Sequence, residues 1–231
     1  MNLHFLIHLD QQLLLWLNGS DSIFVDQLAC ILTSGMTWIP LYIVLFYLVI
    51  KNNETMSQIG LIVGSAALCV LLADGMADGI MKPLVARWRP SNDPMLKYAV
   101  DIVSTRGTNY GFFSAHAANT MALTVFFSML IRSRWITGIL LFWSLINCWT
   151  RVYLGLHYPG DILFGILWGS LVGVFVYALY IKIYYKISPH ITYISSQYTS
   201  TGYDYTDIDT VLTVYFLTFA YVLIRAVMIG F

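Results

Sequence analysis

Apolar positions run through this chain in long blocks separated by short polar breaks, and inside the blocks their period is that of a helix rather than the alternation of a strand. Residues 3 to 17 set Leu3, Phe5, Leu6, Leu9, Leu13, Trp16 and Leu17 among His4, His8, Asp10, Gln11 and Gln12 and stop at Asn18-Gly19. That mixture predicts a helix lying in a membrane interface, with partner binding as its other use. His4 and His8 have no third ligand nearby and read as a solvated face. A second short helix is expected over Ser22 to Leu32, with Asp21 as its cap. Six blocks suited to crossing a bilayer follow: Trp38 to Ile50, Ser57 to Ile80, the run behind GFFSAHAANT that ends near Ile131, Trp135 to Trp149, Asp161 to Tyr184, and Val211 to Gly230. The expected fold is therefore all-α, a six-transmembrane-helix bundle over 34–231 preceded by interfacial helices over 1–33, forming one integral membrane domain across 1–231. Residues 187 to 210, rich in Ser, Thr, Tyr and Asp, read as a solvated connection.

Composition agrees with the pattern: 58% of the 231 residues are hydrophobic and only 10% are charged. A formal charge of zero leaves no electrostatic footprint for nucleic acid. Cys30, Cys69 and Cys148 form neither a disulfide framework nor a zinc spacing. No basic stretch precedes the first apolar residues and Asp10 interrupts them, so a cleaved signal peptide is not expected.

Charges inside such blocks are costly, roughly 2.5 to 3.5 kcal/mol each on insertion scales, and so point to where chemistry is located. Asp74, Asp78 and Lys82 recur at intervals of four and are expected to share an inward face, Asp78 positioning Lys82 and Asp74 pairing with Arg225 of the last block. Gly60, Gly64, Gly75 and Gly79 make two small-xxx-small pairs that predict close helix approach. KPLVARWRP then brings Lys82, Arg87 and Arg89, with Arg87 readable as an ordinary juxtamembrane anchor. Ser114 and His116 stand at the start of a helix, where free N–H groups favour an anion. TRVYLGLHYPGD gathers Arg151, His157 and Asp161 between two apolar blocks. His157 and Asp161 are four apart, so the carboxylate can fix the imidazole tautomer and leave the other ring nitrogen as a nucleophile.

If six spans alternate sides, these three sequence-distant stretches share one face, while Lys51, Arg132, Arg134, Lys182 and Lys186 fall on the other. Three cations, a hydroxyl and a helix start around two histidines describe a phosphate cradle with a nucleophile and a proton donor. No carboxylate cluster suited to magnesium accompanies them, so metal-independent phosphoryl transfer without a cofactor is expected. Two other readings remain open on the residues alone. One is a transporter or channel, for which Asp74, Asp78 and Arg225 would line an ion path. The other is a metal hydrolase with His116, His157 and Asp161 as ligands, which leaves three cations beside a dication without purpose.

Lys82-x6-Arg89-Pro90, Ser114-x-His116 and Arg151-x5-His157-x3-Asp161 resemble, in order, the three motifs of the type 2 phosphatidic acid phosphatase superfamily, which includes lipid phosphate phosphatases. The resemblance implies a membrane lipid phosphatase in which His157 forms a phosphohistidine, Asp161 orients it and His116 protonates the leaving oxygen. It also implies that Lys82, Arg89, Ser114, Ala115 through its N–H, and Arg151 hold the phosphate. Phe113 and Ala115 stand where the middle motif usually has proline and glycine, and Thr150 where serine is usual. The Phe-Phe-Ser-x-His-Ala-Ala-Asn form is similar to bacterial inner-membrane members acting on lipid A, so a lipid A or undecaprenyl pyrophosphate type of substrate is expected. With Lys82, Arg89 and Arg151 set aside as site residues, Arg87, Lys97 and Arg106 remain on the active face against the five basic residues opposite, which puts that face outside the cytoplasm.

Overall fold

The computed structural model describes residues 3–103, 107, 110–188 and 196–230. Arg106 and the middle of the 187–210 connection lie outside them. Eight helices carry the fold of the described residues: α1 (Leu3–Leu17), α2 (Ile23–Thr33), α3 (Ile39–Lys51), α4 (Met56–Val85), α5 (Ala115–Ile131), α6 (Arg134–Tyr153), α7 (Pro159–Ile187) and α8 (Tyr205–Gly230). No strand occurs among the described residues, only isolated bridges such as Trp88 with Tyr110.

By length and composition, α4, α7 and α8 can each cross a membrane, and α2 with α3 makes a fourth crossing if that pair, bent by 69°, is one span. The 17-residue α5 is apolar but shorter. The bend between α2 and α3 has a local cause. Helix α2 stops at Ser34 in an extended conformation, and its freed carbonyls are taken by side chains beyond the break: Thr37 Oγ1 donates to Ile31 O at 2.6 Å and Trp38 Nε1 to Leu32 O at 2.9 Å. Asp21 does not cap α2; the N-cap is Ser22, with no side-chain bond to the helix.

Helix α5 is the centre of the bundle. Ala117, Ala118, Met121, Ala122, Phe126 and Ile131 are all buried, against α4, α6 and α7. Close approach comes from α7. A Cβ at Gly165 would lie 2.7 Å from Ser114 O, at Gly169 2.3 Å from Ala118 O, and at Gly173 2.7 Å from Ala122 O. Those three glycines, one per turn, let the α7 backbone lie directly on α5. The pairs expected to do this, Gly60 with Gly64 and Gly75 with Gly79, have no neighbour within 4 Å of a built Cβ among the described residues. They sit on an open face, because periodic small residues alone do not say which side of a helix meets a partner.

Outward faces are apolar: Leu163, Leu167 and Leu171 on α7, Phe216 and Leu217 on α8, and Ile43 and Phe46 on α3 are exposed. Hydrocarbon rather than water is the medium that suits such a surface. Within α4, Gly75–Met81 is π-helical, and the helix ends at Ala86, which takes a left-handed conformation with φ 49°. Across that bulge Asp78 still pairs with Lys82, as expected. Asp74 accepts a hydrogen bond from Asn119 Nδ2 at 3.0 Å rather than meeting Arg225, which instead lines a groove between α2 and α8 with Tyr221 and Cys30.

Candidate active site

Because α5 and α7 are clamped together, their first turns stand side by side. The Ser114 N–H donates to the Asp161 carbonyl at 3.1 Å, joining the two helix starts directly. Asp161, in the first turn of α7, is fully buried. The chain reaches it from α6 through a tight turn in which the N–H groups of Leu156 and His157 both donate to Arg151 O, at 3.0 and 3.1 Å. Gly155 allows that turn, since its φ is +66° and a Cβ there would meet Val100 at 2.6 Å.

His157 is buried between two opposite partners. Its Nδ1 lies 3.5 Å from Asp161 Oδ2, and its Nε2 lies 3.0 Å from Arg89 Nη1. A guanidinium can only donate, so Nε2 presents its lone pair and the ring proton sits on Nδ1, facing the carboxylate. Burial pushes the imidazole's pKa down to about 4, with the Asp161 contact working the other way. The ring is therefore neutral at neutral pH.

Arg89 is buried, and Nη1 also donates to Leu156 O at 3.2 Å. Two glycines make room for it. A Cβ on Gly107 would lie 2.7 Å from Arg89 Cδ, and one on Gly111 would lie 3.2 Å from Arg89 Cγ and 3.3 Å from Asp161 Oδ2. Lys82 ion-pairs with Asp78, one turn earlier on α4. Arg151 donates through Nη1 to Thr33 Oγ1 at 2.8 Å, while its Nε is buried with no hydrogen-bond partner among the described residues. His116 is exposed at the mouth, and the charges nearest it are Arg151, Lys82 and Arg89, with His157 beside them.

Ser114 caps α5, its Oγ accepting from Ala117 N at 3.4 Å, which leaves the O–H free to donate. Ala115 is the first residue of α5 and takes no positive φ, so alanine costs nothing where the family pattern has glycine. Thr150 does not face the cradle; its hydroxyl donates to Asn147 O at 2.7 Å within α6. All three expected stretches thus meet at one mouth, where Lys82, Arg89 and Arg151 can surround an anion beside a neutral imidazole nitrogen.

Sequence reasoning misses Arg87, read above as an anchor. Its Nη1 donates to Asp161 Oδ1 at 2.9 Å and its Nη2 to Asp10 Oδ2 at 2.7 Å, and its guanidinium stacks 3.9 Å over the Tyr158 ring. Thr33, Gly107 and Gly111 are missed as well. The one available signal is Asp10 itself, a lone acid in an otherwise acid-free helix.

Residues 60–185, which contain every one of these motif positions, match the family model described as PAP2 superfamily. The chain belongs to the PAP2 superfamily. PAP2 relatives include a protein named lipid A 4'-phosphatase from Bacteroides thetaiotaomicron, 37% identical over 76% of this chain and 78% of its own length. A lipid A 4'-phosphatase from Porphyromonas gingivalis is 31% identical over 78% of this chain and 76% of its own. Mouse sphingosine-1-phosphate phosphatase 1 is 31% identical over 41% of this chain and 23% of its own. No solved structure matches. This PAP2 protein is a phosphoric ester hydrolase, and its apolar helices together with lipid-phosphatase relatives make it a membrane lipid phosphatase.

Proposed function

We propose that this enzyme hydrolyses a phosphate monoester or diphosphate of a lipid A or undecaprenyl pyrophosphate type of lipid, through a phosphohistidine on His157 and without a metal. The observation that carries the reading is the His157 ring, neutral and buried, with Asp161 at Nδ1 and a cation at Nε2. An arriving phosphate takes Arg89 from Nε2, since a dianion is the better acceptor. Nε2 then attacks phosphorus in line, the bond to the leaving oxygen breaks, and His116, which takes up a proton from solvent when the phosphate dianion binds among its neighbouring cations, gives that oxygen the proton. Water attacks the phosphohistidine in the second half, His116 takes its proton, and inorganic phosphate leaves with His157 restored. Lys82, Arg89 and Arg151 hold the phosphoryl oxygens, joined by the Ser114 hydroxyl and the Ala115 N–H. The Arg151 Nε, a buried donor that no described residue engages, is suited to one of those oxygens. Three cations already supply the countercharge that a dication would bring.

Lipid is supported by a cavity of about 500 Å³ between α3 and α4, floored by α5. Asn119, Thr120, Leu123 and Phe127 line it, continuing down α5 from His116, so an alcohol leaving on the His116 side has an apolar path for its chains. The two relatives named lipid A 4'-phosphatase favour lipid A over the diphosphate. α3, α5 and α6 complete six crossings with α4, α7 and α8, α1 and α2 lie at the interface, and the active face is extracytoplasmic in a bacterial inner membrane.

Purified protein given lipid A, undecaprenyl pyrophosphate and phosphatidic acid in excess chelator should release phosphate, fastest from lipid A. Quenching in alkali should trap a phosphoenzyme that is stable there and is lost on acidification. Activity lost to chelator and restored by one added metal would refute the mechanism.

A further inference from the structure

The structure assigns Asp10, on α1, as a positioning residue for the His157–Asp161 pair, so that the nucleophile is competent only when α1 is docked. The inference rests on the proposed role of His157. Asp10 is the only acid in α1 and its side chain is mostly buried, with 14% relative exposure. One oxygen accepts from Arg87 Nη2 at 2.7 Å and the other from the Gly160 N–H at 2.7 Å, in the first turn of α7. The other nitrogen of Arg87 donates to Asp161 Oδ1 at 2.9 Å. Asp161 Oδ2 accepts from the Tyr158 N–H at 3.1 Å and faces His157 Nδ1 at 3.5 Å. A chain of charge-assisted bonds therefore runs from α1 to Asp161, whose Oδ2 faces the imidazole Nδ1 at 3.5 Å.

Charge explains what the chain accomplishes. Arg87 alone would neutralise Asp161, leaving nothing to stabilise the positive charge that the ring acquires when Nε2 bonds phosphorus. With Asp10 included, the group Asp10, Arg87 and Asp161 carries a net −1, and that charge sits against Nδ1. Geometry points the same way. Asp10 holds Arg87 against Oδ1, which commits Oδ2 to the ring.

Docking of α1 depends on further contacts that reach the same stretches. Leu14 is fully buried with Val152, Tyr158 and Ile162, and Asn18 Nδ2 donates to Asp101 O and Tyr153 O at 3.0 and 2.8 Å. Gly160 is required for the carboxylate to come so close, since a Cβ there would lie 2.9 Å from Asp10 Oδ2.

The test uses full-length enzyme and measures kcat and KM on a lipid phosphate and on a soluble aryl phosphate, with thermal midpoints alongside. Asp10→Asn should lower kcat on the order of tenfold on both substrates, the usual scale for a supporting partner, with KM within about twofold. Asp10→Glu should restore most of the loss. Gly160→Ala displaces the carboxylate while favouring helix, so it should lower kcat without lowering the midpoint. Unchanged kcat in Asp10→Asn overturns the assignment. So does a rise in KM confined to the lipid substrate, which would make α1 a lipid-recruiting element, or a loss in kcat that follows the midpoint in all three variants. A His157→Ala control separates the two readings: if it retains turnover, the proposed nucleophile fails first, whatever Asp10 does.

Discussion

Around Asn52, at one end of the bundle, charged and amide side chains close one another's bonding, and only neutral hydroxyls such as Ser128 and Ser133 stay buried there with no partner among the described residues. Asn52 Nδ2 donates to Leu48 O and to Asp207 Oδ2, both at 3.0 Å, while its Oδ1 accepts from Asp204 N at 2.8 Å. Gln58 Nε2 donates to Ser188 Oγ at 3.0 Å, and Thr201 Oγ1 to Ile131 O at 2.9 Å. At the opposite end the bonding is left open where it carries charge: Arg151 keeps a buried Nε without a partner among the described residues, and Lys82, Arg89 and Arg151 converge near His116. Polar groups at the first end set the positions of α3, α4, α7 and α8. Those at the second end are arranged for something that is not protein. A polar cluster is thus read by whether its members satisfy one another, since burying an unmatched cation costs stability that only a ligand returns.

The sharpest way to break the contrast is at the open end. His157→Ala should cost about a thousandfold or more in kcat while the thermal midpoint stays near wild type. His116→Ala should still form phosphoenzyme from an activated aryl phosphate, because a good leaving group needs no proton. Turnover persisting in His157→Ala would end the distinction between the two ends.

The second effect is on pH. With its pKa held near 4, His157 takes up no proton between about pH 6.5 and 4, whereas the unfolded chain does. Folding stability from this residue is present above pH 6.5 and is lost as pH falls towards 4. A ring-nitrogen NMR titration should show His157 neutral at pH 5.5, and an ordinary midpoint near 6.5 would contradict the burial that defines the site.

The smallest effect on activity is expected at the satisfied end. Asn52→Ala removes a donor and an acceptor together and should lower stability by about 1 to 3 kcal/mol, measured by denaturant or thermal unfolding in detergent. Its kcat should be that of wild type. A catalytic loss there would mean that the two ends are coupled.

Much of the site is legible in the sequence because its chemistry comes in short motifs. Lys82, Arg89, Ser114, His116, Arg151, His157 and Asp161 each follow from local spacing and an expectation of alternating helices. Arg87 and Asp10 do not, since their bond joins residues 77 positions apart and neither position carries a pattern of its own. The pairing of Asp74 with Arg225 fails for a different reason. It matches the two residues by depth alone, whereas α8 packs on α2, α3 and α6 and Asp74 faces Asn119 on α5. The all-α class is clear from the apolar blocks, but the last helix begins at Tyr205 rather than Val211, because Asp204 Oδ1 accepts from Thr206 N at 2.8 Å and starts it early.

The contact of α7 on α5 also bears on how such an enzyme can change over generations. With Gly165, Gly169 and Gly173 laying one backbone on the other, His116 and Asp161 belong to a single stiff unit whose internal spacing no loop can alter. Exposed loop positions such as Met95 and Tyr98 can then be exchanged without moving that unit, whereas Gly107 and Gly111, which make room for Arg89, cannot. Substrate range is free to drift in such a scaffold, while the three glycines are not.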